Sequence, residues 1–146
     1  MTDRRDLAAL LHPLVQSLIA AEQPVLAAHG ISMWGYAVLG ALDDQAVRTQ
    51  TALADAIGAD KTRIIGTLDK LQEAGLISRV PDPRDRRARL LSISAAGSEV
   101  CRSVRAAILA HEERLLARLS ADERASFLSA VQTLSRLSRE EIVKGG

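Results

Sequence analysis

Leu76-Ile77-Ser78-Arg79-Val80-Pro81-Asp82-Pro83-Arg84-Asp85-Arg86-Arg87-Ala88-Arg89-Leu90-Leu91-Ser92-Ile93 is the stretch on which the fold turns. Before it the apolar residues recur every three or four positions; within it that period is lost. Leu76–Val80 and Ala88–Ile93 read as two short strands, β-branched and apolar, on either side of an arginine-rich turn. Pro81 and Pro83 are expected to keep that turn out of the ladder and to restrict its shape, because proline has no amide to donate. A basic hairpin set between helical segments has the character of a wing.

Upstream, Asp60 is placed to cap a helix whose inward face is Ile64, Leu68 and Leu71, flanked by Ile65, with Gly75 as its stop. Thr49 caps a shorter helix with Leu53, Ala54 and Ile57 inward, and Gly58 ends it. Ser32 caps another, carrying Met33, Trp34, Ala37, Val38, Ala41 and Leu42 as far as Asp43-Asp44-Gln45. Three helices followed by a hairpin, over residues 32–94, make a winged helix-turn-helix.

Further out, residues 7–28 form an amphipathic helix with Leu7, Leu10, Leu11, Leu14, Leu18, Ala21 and Val25 on one stripe, widened by Val15, Ile19 and Leu26. Pro13 and Pro24 predict a kink or a late helix start at the first and a bend or fraying at the second. Ser94 opens a long helix with Val100, Val104, Ala107, Ile108, Leu115 and Leu116. Ser120-Ala121-Asp122-Glu123 is a capping box opening a last helix from Phe127 and Leu128 through Val131, Leu134 and Leu137 to Ile142. These outer helices, 7–28 and 95–143, carry more apolar surface than a small winged lobe can bury, so they are read as dimerisation helices. The predicted class is mainly α with a small β-hairpin wing.

Composition agrees. Of 146 residues 47% are hydrophobic but only 2% aromatic, which suits helices better than a sandwich or barrel. Net charge is +1, yet Lys61 to Leu91 holds eight basic residues against four acidic, leaving the remainder net acidic. A local basic patch is the electrostatic footprint of a DNA reader, although an arginine-rich solvated loop would share it. No stretch has the length and apolarity of a membrane span or a signal peptide, which predicts a soluble, cytoplasmic protein.

The residues Thr49-Gln50-Thr51-Ala52-Leu53-Ala54, Leu68-Asp69-Lys70-Leu71, Gly75-Leu76-Ile77, Arg79 to Arg87 and Leu91-Ser92-Ile93-Ser94-Ala95-Ala96-Gly97 together resemble the MarR family of transcriptional regulators. The wing, with its Pro-x-Asp-x-Arg character, is the specific part, and the flanking helix lengths extend the resemblance over most of the chain. Ala52 stands where the family often has an acidic residue, and Ser94 where it usually has Thr. The resemblance implies a homodimeric repressor that binds a palindromic double-stranded DNA operator. It also implies release by a small aromatic or phenolic effector. A winged helix serving only as a protein-interaction module is the rival reading, and the arginine-rich wing argues against it.

On the helix capped by Asp60, residues advance about 100° each, which sets Thr62, Arg63, Gly66 and Lys70 opposite the inward face. Arg63 has the planar fork that bridges guanine O6 and N7, and Thr62 suits a base edge or phosphate. Gly66 costs about 1 kcal/mol relative to Ala in mid-helix; close approach to DNA or close helix packing would each account for it. In the wing, the resemblance assigns Asp85 to orient an arginine, mapped to Arg87, through a charge-assisted pair while the tip enters the minor groove. Arg84 and Arg86 are placed to reach phosphates or the groove floor. Trp34 and Tyr36 lie near where the family binds effectors; Trp34 reads first as a core residue, and Tyr36 suits either role.

Nothing in the sequence suggests an enzyme: no nucleophile, base and orienting group fall into a recognisable set, and no glycine-rich phosphate loop is present. His12, His29 and His111 lack the paired spacing of a metal site, so neither metal nor cofactor is expected. Cys101 stands alone and is expected to pack inside its helix. Peroxide-sensing relatives carry a cysteine near the N-terminus, and no such residue occurs here.

Overall fold

A computed structural model describes residues 3–45 and 48–145. The elements run α1 (Leu7–Ala28), α2 (Met33–Asp44), β1 (Arg48–Thr49), α3 (Gln50–Ile57), α4 (Lys61–Glu73), β2 (Ile77–Asp82), β3 (Asp85–Ile93), α5 (Ala95–Leu116), α6 (Ala121–Ser135) and α7 (Arg139–Lys144). They form two compact units, Met1–Ile108 and Leu109–Gly146.

Local chemistry starts α2, α3 and α4 at the expected caps Ser32, Thr49 and Asp60, and Asp6 caps α1 in addition. The Asp6 carboxylate accepts from the Ala9 amide at 2.8 Å, Ser32 Oγ from Gly35 at 3.0 Å, Thr49 Oγ1 from Ala52 at 3.2 Å and Asp60 Oδ1 from Thr62 at 3.0 Å. Each side chain satisfies an amide that has no partner within its own helix. Gly58 ends α3 at φ +68°, in the left-handed region where a side chain would be strained. The turn that follows is therefore short and fixed, and α4 starts at once.

The core of the first unit gathers Val38, Leu39 and Leu42 from α2, Leu53 from α3, Ile64, Leu68 and Leu71 from α4, Leu91 from β3 and Cys101 from α5. Burying one such leucine contributes about 1.5–3 kcal/mol. A second cluster sets Leu26 of α1 against Val104 and Ile108. Ser94 ties the hairpin's exit to the end of α4: its hydroxyl donates to the Gly75 carbonyl at 2.7 Å and its amide to the Leu76 carbonyl at 3.0 Å. Gly97 sits one turn into α5 against the same segment. A Cβ on it would lie 2.1 Å from the Leu76 carbonyl oxygen, so only glycine fits.

Four expectations are corrected. First, α1 begins at Leu7 and continues through both Pro13 and Pro24, instead of starting late or fraying. Both prolines lie on its exposed side, where water can satisfy the carbonyls they leave free. Second, Trp34 is not a core residue: it is 36% exposed, with Met33 at 38%, while Gly35, Val38, Leu39 and Leu42 face inward. The helix is turned so that Gly35 meets Leu71, and an indole would not fit there.

Third, the strands run well into the segment read as a turn. The sheet order is β1-β3-β2, Pro81 pairs with Arg89, and only Pro83 and Arg84 link the strands. Pro81 is tolerated because β2 is an edge strand and its register breaks between Pro81 and Asp82. Strand β1, two residues paired with Leu91 and Leu90, is too short to carry a periodic signal. Fourth, the last helix does not continue to Ile142. It stops at Ser135, and Ser138 with Glu141 makes a second capping box that opens α7. In the second unit α6 and α7 bury no residue, and Phe127, Val131, Leu134, Leu137 and Ile142 are exposed.

Candidate nucleic-acid interface

The face of α4 opposite Ile64, Leu68 and Leu71 is open to solvent. Thr62, Arg63, Gly66 and Lys70 are all exposed along it. Packing does not account for Gly66, since a Cβ built there meets nothing within 4 Å. The close-helix explanation for that glycine is thereby removed. What remains is a helix with a flat strip between Thr62 and Lys70, its cost of about 1 kcal/mol uncompensated by internal contact.

Arg84, Asp85, Arg86 and Arg87 are exposed at the outer end of the hairpin. Two short side-chain bonds shape that end: Asp82 Oδ1 accepts from the Arg84 amide at 2.9 Å, and Asp85 Oδ1 from the Arg87 amide at 3.0 Å. The expected carboxylate–guanidinium pair at Asp85 is therefore replaced by a bond to the backbone of the same arginine. Asp85 fixes the chain that carries Arg87 and leaves the guanidinium uncommitted. Among the described residues the ion pairs join Arg79 to Asp69, Arg105 to Asp43, Arg124 to Glu113 and Lys144 to Glu140. None involves Arg63, Lys70, Arg84, Arg86 or Arg87, whose charges stay available to an outside partner.

Arg79 behaves differently from the arginines it was grouped with. It bonds Asp69 and, through Nε at 2.6 Å, Gln72 Oε1, two residues on one side of α4. Its charge is spent inside the protein, cancelling that of Asp69 beside the open face, and the bond braces β2 against α4. Hairpin and helix are thus held in fixed relation by a contact that sequence reading missed. The i, i+3 spacing of Asp69 and Gln72 was its only trace.

Trp34 and Tyr36 do not share a site. Trp34 lines an open cleft of about 330 Å³ with Gly58, Ala59, Asp60, Arg63, Ile64 and Thr67. Tyr36 is half-buried and packs against both core clusters. Burial pushes its phenol above the ordinary value, partly offset by a hydrogen bond from Arg105. Arg105 also donates to Cys101 Sγ at 3.5 Å, but burial dominates there and raises the thiol, which stays protonated and inert at neutral pH. His29 is held by the Val25 carbonyl at 2.8 Å and the Ser103 hydroxyl at 2.9 Å. Among the described residues no single helix is long and apolar enough to cross a membrane.

The chain is similar to several known proteins. Residues 29–88 match the model of the MarR family. The transcriptional regulator HosA of Escherichia coli O111:H- is 29% identical over 99 residues, covering 68% of this chain and 73% of that protein. The transcriptional repressor CouR, solved bound to a 23-mer DNA duplex, superposes with a TM-score of 0.77 at 26% identity, over 89% of this chain and 92% of its own. The regulator PcaV of Streptomyces coelicolor, solved with its natural ligand, gives 0.68 at 28% identity, over 92% and 98%.

Proposed function

We propose that this protein, whose residues 29–88 match the model of the MarR family, is a winged helix-turn-helix regulator that binds a palindromic DNA operator as a homodimer. In this reading it represses transcription until a small-molecule effector releases it, and it is a regulator rather than an enzyme. The observation that carries the reading is the exposed face of α4, whose Thr62, Arg63, Gly66 and Lys70 stand clear of the ion pairs among the described residues, as do Arg84, Arg86 and Arg87 at the outer end of the hairpin.

An α-helix fits the major groove, where each base pair shows a distinct set of donors and acceptors. Arg63, near the start of α4, reads a guanine edge; Gly66 lets the helix backbone come close; Lys70 meets a phosphate further along. The hairpin follows the duplex to the adjacent minor groove, where Arg84, Arg86 and Arg87 respond to negative potential and groove width. Residues 32–94 act as the DNA-binding lobe. Residues 7–28 and 95–143 supply the dimer contact, supported by the exposure of Leu7, Leu10, Leu11 and Leu14 on α1 and of Phe127, Val131 and Leu134 on α6.

The relative PcaV was solved with a ligand, which supports an effector here. Titration of the purified protein with genomic DNA fragments at several salt concentrations tests the core of the proposal. Binding that weakens linearly on a log–log plot, with one fragment class strongly preferred, is expected. Absence of binding at low salt would leave a protein-interaction module instead.

A further inference from the structure

Along α4 the exposed strip has two unlike edges. Residues seven apart nearly share a phase on a helix, so Arg63 and Lys70 line up on one edge. Thr62, Ile65 and Asp69, spaced three and four apart, line up on the other, with Gly66 between the two. The first edge is cationic and takes part in no ion pair among the described residues. The second carries one charge, that of Asp69, and Arg79 offsets it. What remains there is apolar. Ile64, Leu68 and Leu71 fill the core side of the helix, but Ile65 is left 43% exposed. A single exposed isoleucine is ordinary on a protein surface. This one adjoins a glycine at which a Cβ would meet nothing within 4 Å, so the surface beside it is open.

We propose that Ile65 is a specificity-determining residue, packing against the methyl group of a thymine in each half-site, across the gap that Gly66 leaves. The inference rests on the docking of α4 in the major groove and adds to it the identity of a second base beside the guanine of Arg63. Among the groups that base pairs display in that groove, the thymine methyl is the apolar one. An aliphatic side chain is stabilised by covering it, because both surfaces leave water. Lys70 and the hairpin arginines attract the backbone of any duplex. The methyl contact instead separates thymine from every base that lacks that group, so each half-site holds a thymine at one fixed position.

The test removes the methyl without touching base pairing. The duplex of highest affinity recovered from a random-sequence pool is resynthesised with deoxyuridine in place of thymine, one symmetric pair of positions at a time. One such pair should weaken binding by the full-length protein about fourfold per half-site and about fifteenfold in all, the loss expected for two covered methyl groups. Ile65→Ala should bind the parent duplex more weakly by a similar factor, and should no longer distinguish it from the deoxyuridine duplex. Ile65→Val should keep part of the difference. Circular dichroism and sedimentation should be unchanged in both variants. Deazaguanine, which lacks N7, placed at each guanine in turn tests the docking of α4 separately. Sensitivity to deazaguanine with none to deoxyuridine would overturn the role of Ile65 and leave the docking intact. So would a deoxyuridine loss that Ile65→Ala retains in full. A shift in sedimentation of Ile65→Ala would assign Ile65 to a contact between copies of the chain and overturn the inference equally. Insensitivity to both modified bases would overturn the docking as well.

Discussion

Arg63, Gly66, Gly97 and Cys101 show how different single residues test the account. Arg63→Ala should cost about 1–3 kcal/mol on the preferred DNA site and little on random duplex if, as proposed, its bond goes to a base edge; paired titrations measure it. Gly66→Ala should act in opposite directions on fold and function. With open space around its Cβ it should stabilise α4 by about 1 kcal/mol in thermal melts, yet weaken DNA binding by crowding the groove. Unchanged binding would remove Gly66 from the interface. The raised thiol of Cys101 predicts a pH dependence. The unfolded thiol ionises before the folded one, so stability is intact below the ordinary thiol range and declines as pH climbs from there through the raised folded value. In denaturant titrations, Cys101→Ala should be less stable at neutral pH but decline less steeply above about pH 8.5. The exposure of Arg63 and Gly66 opposite the core was legible from helical phase alone. Gly97 was not: its necessity comes from a carbonyl 21 positions back in the chain, which no local pattern reveals.

At the level of elements, the caps and stops of α2, α3 and α4 were readable because they are local chemistry within a few residues of the helix end. The hairpin was harder. Its existence followed from the change of period, but its strands reach past Pro81 because an edge strand forgives a missing amide, and edge position depends on sheet order. The brace from Arg79 to Asp69 and Gln72 crosses from strand to helix and was likewise invisible. This hairpin makes a specific prediction. Arg87→Ala should weaken binding to specific and random DNA alike, and reduce the log–log salt slope by about 0.9 per protomer, nearly 2 for a dimer. Asp85→Ala should mimic part of that loss although it removes negative charge near DNA, because Asp85 holds the Arg87 backbone. Asp85→Asn, which can still accept from that amide, should retain most of the binding. Tighter binding by Asp85→Ala would reduce Asp85 to a repulsive loop charge.

For the whole molecule, the apolar residues left exposed on α1 and α6 call for a second copy of the chain. Leu14 is 36% exposed and Leu134 55%, levels that a solvated monomer would have little reason to hold on consecutive helical turns. Sedimentation at micromolar concentration should find two chains, and Leu14→Glu with Val131→Glu should shift it toward one. The order of elements and the excess apolar surface were legible in the sequence. Which stretch of that surface is covered was not, because it depends on packing between residues far apart in the chain. A two-fold dimer places two copies of α4 on one side, facing major grooves separated by about one helical turn, roughly 10 bp, or a multiple of it. Selection of bound fragments from the genome, followed by footprinting, tests this most directly. The account predicts a recovered site that is an imperfect palindrome with that half-site spacing, protected by two chains. Tight protection of a single asymmetric half-site by one chain, or no recovered sequence at all, would contradict it.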